Sequence, residues 1–194
     1  MPVIRTYPTL TLIDLEHPRL EDIHVEDIAH SLSMQCRYAG HCSDFYSVAE
    51  HSYWVEMKAR CSWMLRPDES LAFLLHDAQE AYLHDLTSPL KSLLSEYQEL
   101  EARWEIFIRE RFSLPGERPL ACVGGSDPDL RLSRVVDLFD KQVREYEQFT
   151  LCWAPDHEFS PEAQRMAVEC WSPAEARRRF LHRFHVLDDA RGVK

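Results

Sequence analysis

The sequence predicts an all-α protein with a small β element at its N-terminus, and three observations predict it. Apolar residues recur at helical spacing through most of the 194 residues, only five residues are glycine, and apolar–polar alternation is confined to the first 25 positions. Thr9 to Leu15 reads Thr-Leu-Thr-Leu-Ile-Asp-Leu, and Ile23 to Val25 is a second short β-like piece beyond the turn at His17-Pro18, which predicts a hairpin. Glu26 to Ser33 is the first expected helix, and Ser47 to Leu65 a longer one carrying Val48, His51 and Val55. Pro67-Asp68 marks a helix start, so Glu69 to Leu83 is expected as one continuous third helix. Pro89 interrupts the next turn. Leu93 to Phe112 then carries Leu100, Trp104, Phe107 and Ile108 at helical spacing, and Leu114-Pro115-Gly116 ends it.

Ala121 to Pro128, containing Gly124-Gly125-Ser126-Asp127-Pro128, reads as a loop. Asp129 to Thr150 and Pro173 to Val186 complete the helices. The length suits a single domain, in which residues 1–25 form the β element, 26–151 the helical core and 152–194 a C-terminal helical extension. Trp153 to Trp171 is weakly patterned and suggests no function.

A net charge of −11 excludes a nucleic acid polymer as the main partner, because displacing counterions takes a surplus of Lys and Arg. Any phosphate site must be built locally from a metal and a few basic residues. The six cysteines (Cys36, Cys42, Cys61, Cys122, Cys152, Cys170) form no CxxC pair and read as reduced thiols. No segment has the apolar length of a signal peptide or a membrane span, so the expectation is a soluble cytoplasmic protein.

The chemistry concentrates in Leu74-Leu75-His76-Asp77-Ala78-Gln79-Glu80, an apolar run ending in a His-Asp doublet. Burying such groups costs folding energy unless something compensates them, and a divalent metal does so. On a continuous helix His76 and Glu80 share one side, with Asp77 rotated about 100° from His76. Further ligands must come from elsewhere. His51 sits between apolar positions on the preceding helix, and the late helix offers Asp137 and Asp140. With Leu132, Val136, Phe139, Val143 and Tyr146 on one face, Asp140 lies roughly 80° from Leu132 and Asp137 roughly 140°. Asp140 is therefore preferred as the fourth ligand, with Asp137 as the solvated acid.

His51, then His76-Asp77, then Asp140 resembles the H...HD...D signature of the HD-domain metal-dependent phosphohydrolases. The likeness extends to Cys36-Arg37-Tyr38-Ala39-Gly40-His41, to Phe45-Tyr46-Ser47-Val48-Ala49-Glu50-His51-Ser52 and to the run from Leu75 to Lys91. These segments resemble the branch that includes bacterial 5'-deoxynucleotidases and phage-type dNTP triphosphohydrolases. The similarity runs from roughly Asp27 to Leu151. In that branch an apolar residue precedes the ligand aspartate by four and a glutamate follows it by seven, which Val136 and Glu147 match around Asp140. Phe139 departs from the pattern, where a small residue is usual.

The resemblance implies an HD-type helical bundle in which His51, His76, Asp77 and Asp140 hold one divalent cation: Mn, Co, Mg, Zn or Fe. A metal-activated water then attacks phosphorus. Glu80 is the expected general acid or base, since it cannot easily be a ligand beside His76. Asp85 corresponds to the family's second carboxylate, near the leaving group or sugar. Arg37 offers a planar fork for phosphate oxygens and Lys91 a compact second charge, while Tyr38 corresponds to the aromatic that packs near sugar or base. His41 reads as a loop residue and His84 as a helix-end cation.

The resemblance also implies a homo-oligomer acting on nucleotides, removing a 5'-phosphate from a deoxynucleoside monophosphate or triphosphate from a dNTP. Two other classes stand beside it. A di-iron HD-type oxygenase needs more histidines between His76 and Asp140 than His84 alone. Against a catalytically silent nucleotide-binding module stands the presence of both Glu80 and Asp85.

Overall fold

In the computed structural model, which describes residues 2–116, 131–152 and 168–192, the chain is mostly helical with one two-stranded antiparallel hairpin. The hairpin is β1 (Val3–Arg5) and β2 (Leu12–Asp14), with Val3 opposite Asp14 and Arg5 opposite Leu12. The expected pairing of Thr9–Leu15 with Ile23–Val25 is therefore corrected. Thr9 is held outside the strands, its amide and hydroxyl both donating to the buried carboxylate of Asp27, at 2.9 and 2.5 Å. Ile23 is fully buried in the core, and Val25 begins a helix.

The helices are α1 (Val25–Met34), α2 (Val48–Ser62), α3 (Pro67–Leu74), α4 (Glu80–Leu83), α5 (Ser88–Lys91), α6 (Ser95–Arg111), α7 (Leu132–Glu147) and α8 (Pro173–Ala190). Local chemistry sets several starts. Ser47 Oγ accepts the Glu50 amide and caps α2. α3 opens on Pro67, with the Glu69 carboxylate accepting the Arg66 amide, and α8 opens on Pro173, with Ser172 Oγ accepting the Glu175 amide.

The predicted continuous helix from Glu69 to Leu83 breaks at the doublet, because α3 stops at Leu74 and α4 resumes only at Glu80. The intervening turn is tightened by amide bonds from Ala78 to the Leu75 carbonyl and from Glu80 to the Asp77 carbonyl. His76 Nδ1 donates to the Phe73 carbonyl at 2.8 Å. In an unbroken helix that carbonyl would serve the amide of Asp77.

Two apolar clusters flank this turn. One joins Ile28 and Leu32 of α1, Leu71 and Leu74 of α3, Trp104 and Ile108 of α6, and Phe180 and Phe184 of α8. The other joins Val55 and Ala59 of α2, Phe73 of α3, and Leu132, Val135, Phe139 and Val143 of α7. On α7 it is Val135, and not Val136, that is fully buried. Phe139, where the pattern that the sequence resembles has a small residue, packs edge-on against Phe73 and Trp63. α8, expected as an extension, packs against α1, α2 and α3. Its Arg183 forms a bidentate pair with the buried Glu56 carboxylate. The loop Ala121–Pro128, the start of the late helix at Asp129, Cys122 and residues 153–167 lie outside the described residues. Among the described residues no helix is long and apolar enough to cross a membrane.

Candidate metal centre

α2, the turn between α3 and α4, and α7 bring the doublet together with the two distant residues that sequence spacing singled out. Capped by Ser47, α2 carries His51 on its first turn with the ring wholly buried. His51 Nε2 lies 3.7 Å from Asp77 Oδ2 and 3.0 Å from Asp140 Oδ1, while His76 Nε2 lies 3.1 and 4.0 Å from the same two oxygens. One ligand atom from each of His51, His76 and Asp77 falls within 4.8 Å of the others, so this group could hold a metal ion. Asp140 adjoins it, with its second oxygen paired to Arg144 one turn further along α7. Asp137 is exposed and lines a neighbouring cavity.

The outer nitrogens decide what the inner ones can do. His51 Nδ1 is 2.6 Å from Glu147 Oε1, and His76 Nδ1 faces the Phe73 carbonyl. An ionised carboxylate and a carbonyl only accept, so each Nδ1 carries the proton. In the neutral rings both Nε2 lone pairs then point at carboxylate oxygens. Both Nε2 atoms are buried and make no well-aligned hydrogen bond among the described residues. Acceptor facing acceptor in a buried space calls for a cation, either a proton or a metal.

The electrostatics agree. Burial, and next the Arg37 charge, would lower the His51 pKa, yet Glu147 and Asp140 outweigh them and push it up to about 9. His76 is raised because Asp77 outweighs burial. Burial works against ionisation of Asp77 and Asp140, but the two imidazoles prevail. They hold Asp77 far below the carboxylate range, with help from Arg37, and Asp140 at about 2. Histidines oriented by outer acceptors, with two carboxylates beside them, are the donor set that borderline divalent metals take. The residues fit the group.

Glu147 is the residue whose role sequence reasoning missed. It is fully buried on α7, and its Oε1 accepts from both His51 Nδ1 and the Tyr46 hydroxyl (2.8 Å). Its Oε2 accepts from the Tyr38 hydroxyl at 2.8 Å and lies 3.2 Å from Arg37 Nε. Burial opposes its charge, but His51 and Arg37 pull its pKa down to about 2. The signal was in the chain: seven residues past Asp140 is two helical turns, which returns to the same face.

The other predicted site residues line an adjoining cleft of about 280 Å³, whose walls include Arg37, Tyr38, Glu80, Asp85, Lys91 and Arg144. Arg37 is buried, and its guanidinium lies between Glu147 and Asp77, the latter 3.7 Å away, so part of its fork is already engaged. Tyr38 spends its hydroxyl on Glu147. Its backbone is left-handed (φ 58°), as is that of Ala39 (φ 51°), and each such non-glycine residue costs about 1–2 kcal/mol. Lys91 pairs with Glu101 at 2.6 Å and stands 3.8 Å from Glu80.

Glu80 is buried, and its Oε2 has no hydrogen-bond partner among the described residues. Burial first, then Asp77 and Asp85, raise its pKa well above the usual range. Gln35 is a second residue the sequence did not flag. Its carbonyl accepts from the Asp85 amide (3.0 Å) and lies 2.8 Å from His84 Nδ1, and its amide donates to the Glu80 carbonyl (3.0 Å). It thereby ties both acids to α1. A second cavity of about 240 Å³ shares Asp77, Lys91 and Asp140 with the first. Neither His41 nor His84 takes part in the metal group.

No family model matches this sequence. It is 33% identical over 187 residues to the uncharacterized protein RCAP_rcc00048 of Rhodobacter capsulatus, covering 90% of each chain. It is 44% identical over 95 residues to the uncharacterized protein YfdR of Escherichia coli strain K12. That second match covers 49% of this chain and 50% of the relative, so it spans about half of the E. coli protein's length.

Proposed function

We propose that this chain, which belongs to the family of the Rhodobacter capsulatus protein, is a divalent-metal-dependent phosphohydrolase acting on nucleotides through an HD-type site. One observation carries the reading. Two imidazoles, that of His51 wholly buried and that of His76 part-buried, have their Nδ1 atoms committed to fixed acceptors, while their Nε2 atoms converge on Asp77 and Asp140. His51, His76, Asp77 and Asp140 would hold the cation. When bound, such a cation activates a water molecule and offsets charge on the phosphoryl oxygens.

The chain's own residues supply the rest. Glu80 moves a proton at Oε2, the buried oxygen left without a partner beside the cleft. Asp85, placed by Gln35, faces the sugar and leaving-group side. Arg37, Lys91 and Arg144 bring positive charge to the same cleft, where phosphate oxygens are otherwise repelled by the acids. A di-iron oxygenase needs further nitrogen ligands, and His84, the one histidine between His76 and Asp140, lies against Gln35 instead.

The test loads the protein with Mn²⁺, Co²⁺, Mg²⁺, Zn²⁺ or Fe²⁺ and presents deoxynucleoside mono- and triphosphates. Release of orthophosphate or of triphosphate is then read, with His76→Ala as the control. Metal-loaded protein that releases neither product from any nucleotide would overturn the assignment.

A further inference from the structure

The turn that carries Arg37 and Tyr38 is bracketed by Cys36 and Cys42, whose Sγ atoms lie 3.6 Å apart. Both side chains are partly exposed free thiols. Cys152, just past Glu147, and Cys170, before α8, are near enough for each to be influenced electrostatically by Cys36. Within the bracket the backbone is left-handed at Tyr38, Ala39 and Gly40 in succession. That conformation persists because outside contacts hold it. The Arg37 amide bonds the Tyr46 carbonyl, and the Tyr38 hydroxyl bonds Glu147.

We propose that Cys36 and Cys42 are a modification site, oxidised to an intramolecular disulfide that locks this turn against Glu147. The sulfurs need to close from 3.6 Å to about 2.05 Å. A low-molecular-weight disulfide such as oxidised glutathione is the co-reactant. The Cys36 thiolate attacks one of its sulfurs and expels one glutathione thiolate. Cys42 then loses its proton and attacks the Cys36 sulfur, expelling the second. The pair gives up two electrons and two protons, which leave with two glutathione thiols. Burial, the bond to Cys36 and the neighbouring thiols push the Cys42 pKa up to about 12, so the first attack falls to Cys36, and it is the 3.6 Å proximity of the two sulfurs that favours the second.

The bond is independent of the hydrolase reading. Its effect on substrate handling rests on that reading, and the experiment therefore reads structure and not turnover. The full chain is equilibrated in glutathione redox buffers, remaining thiols are alkylated, and digests are mapped by mass spectrometry alongside amide hydrogen exchange. The expected result is a Cys36–Cys42 linkage lighter by two hydrogens, reversed by dithiothreitol, with slower exchange over residues 37–41. The linkage should persist in a Cys152→Ser/Cys170→Ser double variant. Cys42→Ser should leave Cys36 carrying a glutathione adduct. The proposal is overturned if Cys36 or Cys42 pairs instead with Cys152 or Cys170. It also fails if both thiols remain alkylatable in buffers that oxidise the other cysteines, or if exchange over 37–41 is unchanged in the linked protein.

Discussion

Replacing Glu147 with Gln tests the centre at a residue that would not touch the metal. The side chain keeps its shape but loses its charge, and one of its two acceptor oxygens becomes a donor. If the remaining oxygen stays with His51 and Tyr46, the new NH₂ faces Arg37 Nε, donor against donor, 3.2 Å apart in a fully buried space. Arg37 keeps Asp77 at 3.7 Å as its ion-pair partner, with the Asp85 charge acting on it from further away. Breaking a buried pair costs about 3–5 kcal/mol, and the surviving Asp77 contact places this case near the lower end.

The effect on metal is separate. Outer partners of ligand histidines typically contribute 10–100-fold in affinity, about 1.4–2.7 kcal/mol, by fixing the tautomer and raising basicity. The expected outcome is a loss of that size in Co²⁺ affinity, measured by competition with a chelator, together with an earlier thermal transition. Wild-type affinity in a folded but less stable variant would refute the argument that Glu147 directs His51 Nε2 at a cation. Should the variant fail to fold, Glu147→Asp in the same titration keeps the charge but withdraws it from His51, and a loss of affinity is again expected.

The remaining predictions concern the ligands, the acid and pH. Asp140→Asn should lose most bound metal in elemental analysis while Asp137→Asn keeps it, because of the two only Asp140 approaches the imidazoles; equal retention would sink the Asp140 assignment. Glu80→Gln should retain metal and lose turnover by roughly 100-fold or more, and normal turnover would remove Glu80 from the chemistry. In metal-free protein, His51 is raised from 6.5 to about 9 and Glu147 lowered from 4.5 to about 2. The His51 contribution to stability is full below pH 6.5 and lost as pH rises through 9. The Glu147 contribution is full above pH 4.5 and lost as pH falls toward 2. Unfolding free energy from these two groups should therefore peak between pH 4.5 and 6.5. Saturating metal should flatten the alkaline limb by replacing the His51 proton. An alkaline limb unchanged by bound metal would count against His51 as a ligand.

How much of this was legible in the chain depends on the range of the interaction. Helical periodicity is local, so α1, α2, α6 and α8 could be placed within a few residues. The doublet announced itself as polar groups in an apolar run. The break at that doublet was not legible, since Leu74 to Leu83 is consistent with one helix; it arises where His76 takes the Phe73 carbonyl. The hairpin was misassigned for a related reason: Ile23 is as β-compatible as Val3, and only burial against the helices separates them.

The sequence by itself determined the helical class, the order of the candidate ligands and the chemistry each can offer. Tertiary structure decided which atoms meet. His51 and Glu147 are separated by 96 positions, as are none of the pairs that spacing rules can address. Their contact exists only because α2 and α7 bury Val55, Phe73, Phe139 and Val143 between them. That packing buries the His51 ring and the Nε2 atoms of both imidazoles, and sets those inner nitrogens facing carboxylates. The same packing sets Asp140 beside the rings and leaves Asp137 exposed, the arrangement that the helical face had suggested.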